Sequence, residues 1–192
     1  MTLLIKSIIK SALSIIYNWR LFRLGSIRYP FYIDKGLRMH SPKRIFLGKN
    51  VTIGRYSRLS SYITSASDNS IHIEDDCYIG QFFTAIGGCI RIKKNTLIAS
   101  YVSVISENHS IDLESGILYG KQSLSGKYTE IGECCWIGEK VIILPGVHIG
   151  DWCIVGAGSV VTNDIPSYSI AVGNPAKVIK KYDFDTHNWV KI

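Results

Sequence analysis

An aliphatic residue recurs at every sixth position along much of this chain. From residue 131 the series runs without interruption through Ile131, Ile137, Ile143, Ile149, Val155 and Val161. Glycine directly follows four of these residues, at positions 132, 138, 150 and 156. The same spacing occurs earlier in blocks that begin at Leu47, Ile73 and Ile92. A six-residue period fits neither a continuous helix nor a long strand, so it predicts a stack of short repeated units.

The fifth position of each hexad is also restricted to small or β-branched residues. Its members include Val51, Ser57, Cys77, Thr96, Val102, Cys135, Val141, Val147, Cys153 and Ser159. Two inward positions in every six residues predict short strands separated by tight turns. Three of the five cysteines are thereby explained as small core residues. Because the cysteines form neither a CxxC pair nor a cluster with histidine, we predict no metal site.

The pattern [LIV]-G-x-x-[small]-x resembles the hexapeptide-repeat transferases. That resemblance implies an all-β fold, a left-handed parallel β-helix with three hexads per coil and about five coils that start near residues 47, 73, 92, 131 and 149. The left hand comes from the family, since ordinary crossover connections are right-handed. Family members are trimers, so we expect a homotrimer with active sites between subunits. We divide the chain into an amphipathic N-terminal helix (1–24), the β-helix domain (25–182) and a C-terminal tail (183–192).

A polar stretch at 108–128 interrupts the hexads, and long loops in compact repeat proteins are commonly functional. It begins with N-H-S-I-D, which resembles the T-H-P-I-D segment of the maltose and galactoside O-acetyltransferases, whose histidine is the catalytic base. The resemblance implies that His109 is the general base, a role that suits an imidazole with its ordinary pKa of about 6.5. A carboxylate would orient the ring. Asp112 and Glu107 are both candidates, and the sequence does not choose between them.

The C-terminal coils, from CCWIGEK to NPAKVIKKY, resemble the closing part of the same acetyltransferases. The resemblance implies acetyl-CoA as the cosubstrate, held between subunits, with contacts from Trp136, Gly138, Ala157, Thr162, Asn163, Lys177 and Lys180. The backbone N–H of Glu139 would donate to the thioester oxygen. Two positions depart from the family. Asn163 stands where lysine is frequent, and Glu139 replaces a serine of the galactoside enzyme, so only the backbone role transfers there.

Residues 1–24 precede the hexads and have the pattern of an amphipathic helix. Lys6, Lys10, Ser14 and Asn18 recur every four residues and would form one narrow polar stripe on a helix. The charged residues interrupt the apolar run, so we predict no membrane-spanning helix. The apolar region is not followed by a small-residue cleavage site, so we do not expect a cleaved signal peptide. Two interpretations remain. The helix packs on its own protein or a neighbouring subunit, or it lies on an inner membrane surface. We expect a cytoplasmic protein, peripheral at that membrane in the second case.

These features together predict an acetyl-CoA-dependent O-acetyltransferase that acts on a sugar hydroxyl by direct transfer. The chain resembles the acetyltransferases of bacterial surface-polysaccharide synthesis more than those of free galactosides, which implies a sugar or glycan acceptor. N-acetylation of an amino sugar or other small amine, and a non-catalytic β-helix used for assembly, are the alternatives. The net charge of +7 fits coenzyme phosphates, nucleic acid or acidic lipid. Without an aromatic and basic recognition motif, nucleic-acid binding is not expected.

Overall fold

Parallel strands form three faces of a prism, and the chain crosses the faces in order during each coil. The computed structural model describes residues 3–192. The first face contains the strands Ser26–Ile27, Ile45–Leu47, Ser70–Ile73, Cys89–Ile92, Thr129–Ile131 and His148–Ile149. The second face contains Phe31–Ile33, Val51–Ile53, Tyr78–Ile79, Leu97–Ile98, Trp136–Ile137, Ile154–Val155 and Ser169–Gly173. The third face contains Arg38–His40, Arg58–Ser60, Thr84–Ile86, Ser103–Ile105, Ile142–Ile143 and Val160–Val161.

The fold is the left-handed parallel β-helix that the sequence predicted. It has one coil more than the hexads indicated, because six strands on the first and third faces correspond to six coils. The additional coil comprises residues 26–40. Ile27, Ile33 and Met39 do keep the six-residue spacing, but no glycine follows any of them. The glycine signal is therefore absent from this first coil although its inward residues are present.

The hexad residues face the interior and stack on their equivalents in adjacent coils. Ile137, for example, pairs with Ile98 on one side and with Val155 on the other, and all three are buried. The cysteines at the fifth position are buried as predicted. The thiols of Cys77 and Cys135 each donate to a backbone carbonyl of the next coil at 3.1 Å. These residues fill the core and link successive coils.

The C-terminal segment continues the second face. Strand Ser169–Gly173 turns into Ala176–Asp183, which pairs with it antiparallel, and Asn188–Lys191 pairs with the outer edge of that strand. The predicted boundary at residue 183 therefore lies at the end of a strand, and the predicted tail is the last strand of the sheet.

The N-terminal helix, Leu3–Tyr17, is followed by a 3-10 helix, Trp19–Arg23. The helix covers the open edge of the second face through small polar side chains. Ser11 Oγ donates to the carbonyl of Phe31 at 2.8 Å, and Ser14 Oγ accepts the N–H of Ile33 at 2.8 Å. Asn18 donates to the carbonyl of Asp34 at 2.9 Å. These bonds satisfy backbone groups that a strand edge would otherwise expose.

The same helix turns its apolar side chains outward. Its exposed members are Ile5, Ile8, Ile9, Ile15 and Ile16, followed by Tyr17, Trp19 and Phe22. The predicted polar stripe lies along the helix, but it is not a solvent-exposed face throughout. Lys6 and Lys10 are exposed, whereas Ser14 and Asn18 are buried. None of the helices described within residues 3–192 has the length and apolar content needed to cross a membrane.

The interruption of the repeat leaves the prism at the corner between the third and first faces. It contains an antiparallel hairpin of Glu107–His109 with Leu124–Gly126 and a short 3-10 helix, Tyr119–Lys121. A second loop, residues 61–69, lies against the hairpin, where the N–H of Ser65 donates to the carbonyl of Leu124 at 3.3 Å. A further 3-10 helix, Pro42–Arg44, joins the first two coils.

Candidate active site

His109 is exposed at the end of the first hairpin strand. Glu107 lies two residues earlier on the same strand, and alternate residues of a strand share a face. The Oε2 atom of Glu107 is buried and has no hydrogen-bond partner within residues 3–192. Burial raises the pKa of Glu107, while the charges of His109 and Arg58 act in the opposite direction. The hairpin therefore holds a carboxyl with one unused acceptor beside the predicted base.

The carboxylate of Asp112, unlike that of Glu107, already accepts hydrogen bonds from its own loop. Its Oδ1 atom accepts the backbone N–H groups of Glu114 and Ser115 at 3.0 and 3.3 Å, which closes a turn of the loop. The side chain is exposed. Of the two carboxylates that the sequence left open, Glu107 is the one whose geometry suits an orienting role toward His109.

Further polar side chains gather beside Glu107 on the third face. Arg58 donates to Ser60 Oγ at 2.9 Å and to the hydroxyl of Tyr62 at 3.0 Å. The ring of Tyr62 stacks on His40 with centroids 4.6 Å apart. No pattern in the sequence predicted this cluster. Arg58 and Tyr62 are only four residues apart, but the clustering with His40 depends on the first coil, which lacks the glycine signal.

The corner between the second and third faces presents a column of free backbone donors. Each turn there places one residue at its middle, and these residues are Arg55, Gln81, Ser100, Glu139 and Ala157. Among the hydrogen bonds within residues 3–192, none of their N–H groups has an acceptor. Successive members lie one coil apart, about 4.8 Å. Glu139 and Ala157, both predicted from the family, are neighbours in this column.

The corner between the first and second faces is different. The N–H of Glu133 donates to Asp151 Oδ1 at 2.8 Å, and the N–H of Asp151 donates to Ser167 Oγ at 2.9 Å. The backbone N–H groups of Lys49 and Lys94 likewise donate to carboxylate oxygens of neighbouring coils. Side chains of an adjacent coil thus accept from these four N–H groups, whereas the donors near Glu139 remain available to a ligand.

A groove of about 710 Å³ extends along the second face beside the free donors. It begins at Lys10 of the N-terminal helix and reaches Trp136 and Glu139. Trp136 keeps 52% of its surface exposed, so it offers an aromatic wall. In the described part of the chain, His109 is not among the residues that line this groove. One subunit therefore presents Trp136 and Glu139 on a different surface from the predicted base.

Close stacking of the coils explains Gly138. A Cβ atom at this position would lie 2.6 Å from the backbone nitrogen of Ala157, so any larger residue would push the two coils apart. Glycine at this position allows the turns that contain Glu139 and Ala157 to stack closely. This packing explains why residue 138 is glycine without a contact to the coenzyme.

The lysines of the C-terminal strand lie on the outer side of the second face. Lys177 pairs with Val172 and Lys180 with Ile170, and a register shift between the two pairs brings the lysines to the same side. Lys180 belongs to the outward row that continues through Ile170 and Ile154 to Trp136. Three strand spacings separate Lys180 from Trp136, about 14 Å. These predicted contacts therefore share one surface.

Thr162 and Asn163 lie elsewhere. They follow the last strand of the third face, at the corner between the third and first faces, and the Thr162 hydroxyl donates to Asn163 Oδ1 at 2.8 Å. The structure thus separates these two predicted coenzyme contacts from Trp136 within one subunit.

The buried Cys77 does not supply a nucleophile. Burial raises the pKa of the Cys77 thiol to about 12, and a protonated, buried thiol is unreactive. Across residues 3–192, no cluster of three or more His, Cys, Asp or Glu side chains has a geometry that could hold a metal ion.

Similar proteins agree with the fold and the repeat. The family model for bacterial transferase hexapeptide (six repeats) matches residues 128–163. WbbJ of Escherichia coli (strain K12), which carries the name of a lipopolysaccharide biosynthesis O-acetyl transferase, is 34% identical over 174 residues, 86% of this chain and 83% of WbbJ.

Two solved structures are also similar. A maltose O-acetyltransferase from Clostridium difficile 630 is 28% identical with a TM-score of 0.55, covering 95% of this chain and 90% of that chain. AntD, an N-acyltransferase from Bacillus cereus solved with dTDP and 3-hydroxybutyryl-CoA, has a TM-score of 0.73 at 22% identity and covers 88% of this chain and 89% of that chain, which shows a shared fold. The hexad match and the identity to WbbJ over most of both chains show that this chain belongs to the acetyltransferases of the bacterial hexapeptide-repeat transferase family.

Proposed function

We propose that this protein transfers the acetyl group of acetyl-CoA to a sugar hydroxyl during the synthesis of a bacterial surface glycan. The observation that carries the proposal is the column of free N–H donors at Glu139 and Ala157, beside the exposed ring of Trp136 and the groove of the second face. Unpaired donors at a fixed position stabilise negative charge that develops on an acyl oxygen. The coenzyme would lie along this corner, with Lys177 and Lys180 toward its phosphates.

The chemistry follows from a base and a donor on opposite sides of the reacting groups. A ring nitrogen of His109 accepts the proton of the sugar hydroxyl as the oxygen attacks the thioester carbon. The carbonyl oxygen becomes an oxyanion and accepts the N–H of Glu139. The carbon–sulfur bond then breaks, and coenzyme A leaves as the thiol with the proton from His109. Glu107 would accept the other ring N–H of His109 and hold the ring in position.

A homotrimer is part of the proposal. His109 and the groove lie on different surfaces of one subunit, so a complete site requires His109 of one subunit to face Trp136 and Glu139 of another. A second observation supports association. Tyr56, Phe82 and Tyr101 form an exposed ladder of stacked rings at the corner between the second and third faces. Exposed aromatic ladders of this kind suit a subunit contact.

The acceptor is inferred from the comparison with WbbJ, whose name refers to lipopolysaccharide biosynthesis and whose identity extends over most of this chain. A sugar hydroxyl is a weak nucleophile, and a general base contributes most to such an acceptor. The maltose O-acetyltransferase with the same fold also supports oxygen as the acceptor atom.

The test is thiol release from acetyl-CoA with a panel of sugars, amino sugars and small amines. With a hydroxyl sugar as acceptor, His109→Ala should lower kcat at least about 100-fold. Ser110→Ala, a neighbour on the same loop, is the matched control and should keep most of the activity. Release with amines alone would replace O-acetylation by N-acetylation, the reaction class that the name of AntD suggests. Coenzyme binding without turnover on any acceptor would exclude the enzymatic role.

A further inference from the structure

The N-terminal helix has an inverted polarity. Its small polar residues Ser11, Ser14 and Asn18 are buried against the first coil, whereas its isoleucines are exposed, namely Ile5, Ile8, Ile9, Ile15 and Ile16. Ile16 is 72% exposed, Trp19 66% and Phe22 71%. A helix that served only to close the prism would turn isoleucine inward, because burial of such a side chain contributes about 1.5–3 kcal/mol. The outward face therefore requires another occupant.

The apolar sector is broad. With about 100° per residue, the uncharged arc spans about 160° of the helix. It comprises Ile15, Ile8, Ala12, Ile5, Ile16, Ile9 and Leu13. Lys6 and Lys10 border the arc on one side, and the Lys10 ammonium lies 5.8 Å from the centre of the Tyr32 ring. A seam for one partner helix is narrower than this arc.

The charges around the arc have one sign. Residues 3–24 contain Lys6, Lys10, Arg20 and Arg23 and no acidic residue. Phe22 and Arg23 continue into a groove of about 510 Å³ that Lys43 and Arg44 also line. In the part of the chain that the structure describes, no carboxylate forms a salt bridge with Arg23, Lys43 or Arg44. An apolar arc therefore ends at a cluster of cations that form no salt bridge with any of residues 3–192.

We propose that this surface, formed by the helix arc, Trp19, Phe22 and the basic groove, docks the protein on an anionic lipid bilayer. The isoleucines would enter the acyl boundary, Trp19 would lie at the headgroup level, and Arg23, Lys43 and Arg44 would contact lipid phosphates. Charge complementarity favours lipid over a second copy, because two copies of this surface would bring the cations of each close to those of the other. The leaflet expected is the inner, anionic surface of the bacterial membrane.

The test is co-sedimentation of the full-length protein with vesicles. Vesicles of phosphatidylglycerol and phosphatidylethanolamine should bind the protein, and vesicles of phosphatidylcholine alone should bind it much more weakly. The double variant Ile16→Ser, Trp19→Ser should lower the partition coefficient at least about tenfold, because two large apolar groups no longer enter the bilayer. Replacing Arg23, Lys43 or Arg44 by Gln should lower it about fivefold each, and added salt should reduce that difference.

The matched control is the double variant Ile63→Ser, Ile111→Ser. Both residues are exposed isoleucines on loops, and neither belongs to the helix arc or lines the basic groove, so vesicle binding should not change. The helix variants should also keep the turnover of a soluble acceptor, which separates membrane docking from the acetyl transfer. Equal vesicle binding by the wild type and by the helix variant would overturn the proposal. Loss of subunit association in the helix variant, without vesicle binding by the wild type, would assign the surface to a second copy instead.

Discussion

Glu107 and His109 occupy the same face of one hairpin strand, and the Oε2 atom of Glu107 is buried without a hydrogen-bond partner in the described structure. A buried acceptor without a donor is costly unless it serves a purpose that compensates for the cost. The charged neighbours of Glu107 are His109 and Arg58. Arg58 already donates to Ser60 and Tyr62, so the His109 ring is the better candidate to satisfy this acceptor. We therefore propose that Glu107 orients the His109 ring and that Asp112 does not, because Asp112 already closes a turn.

The first prediction concerns the variant Glu107→Gln. The amide keeps the shape of the side chain but accepts a hydrogen bond more weakly, so kcat should fall roughly tenfold or more while the KM for acetyl-CoA changes little. The thermal midpoint at neutral pH should not decrease, since a neutral amide avoids the cost of burying charge. Asp112→Asn is the matched control and should retain its kcat. Unchanged turnover in Glu107→Gln would remove this residue from the mechanism.

The second prediction follows from the direction of the Glu107 pKa. Burial raises this pKa above its ordinary value of 4.5, so the folded protein binds the proton more tightly than the unfolded chain does. The stability contributed by the protonated group is complete below the unfolded pKa and is lost as pH rises through the folded pKa. The wild type and Glu107→Gln should therefore differ little in melting temperature near pH 4. The variant should become relatively more stable toward pH 7, and a difference of the opposite sign would contradict the burial of this carboxyl.

The interior of the prism could be predicted from the sequence because it depends on local spacing. Ile98, Ile137 and Val155 stack as their hexads require, and each is buried. The orientation of the N-terminal helix could not be predicted in the same way. Ser11 and Ser14 are inward because the edge strand Phe31–Ile33 offers unpaired backbone groups, and that strand belongs to the coil without glycines.

The free donor at Glu139 depends on a residue in the following coil. Glu133 and Glu139 occupy equivalent positions six residues apart, yet only the N–H of Glu133 has an acceptor, Asp151. The residue one coil beyond Glu139 is Ala157, which has no side-chain acceptor. A comparison of residues one coil apart would have identified this difference. The number of residues in a coil changes wherever a loop is inserted, however, so equivalent positions cannot be matched from the sequence alone. The groove and the cluster at Arg58 therefore required the structure.

The third prediction tests whether the site is shared. In the proposed homotrimer, His109→Ala and Trp136→Ala should each abolish most of the activity when the two variants are purified separately. When the two variants are co-expressed and purified as mixed trimers, some subunit boundaries combine an intact His109 with an intact Trp136. Random mixing should restore about a quarter of the wild-type sites. Mixed trimers without activity would indicate that both residues act within one subunit, and a mixture of separately purified homotrimers is the control for exchange.

The fourth prediction concerns the aromatic ladder. Phe82 has a φ of 56°, which is unfavourable for a bulky residue and acceptable for asparagine. In Phe82→Asn, the loss of ring stacking costs about 1 kcal/mol, and the relief of backbone strain is about the same size. The subunit should therefore keep its fold by circular dichroism but associate more weakly in light scattering. Trp152→Asn relieves a φ of 58° at another corner and should remain trimeric. An unchanged mass for Phe82→Asn would exclude the ladder as a subunit contact.

The fifth prediction separates direct transfer from an acyl-enzyme on cysteine. Four of the five cysteines are buried, and only Cys134 is partly accessible. Burial raises the pKa of Cys77 to about 12, so its thiol remains protonated at neutral pH. A thiol reagent should therefore modify Cys134 alone in the native protein, and all five cysteines after unfolding. The modified enzyme should retain acetyl transfer, and Cys134→Ser should abolish labelling without loss of turnover. Inactivation that tracks the labelling of a buried cysteine would instead require a covalent step and would displace His109 from its role as base toward the sugar hydroxyl.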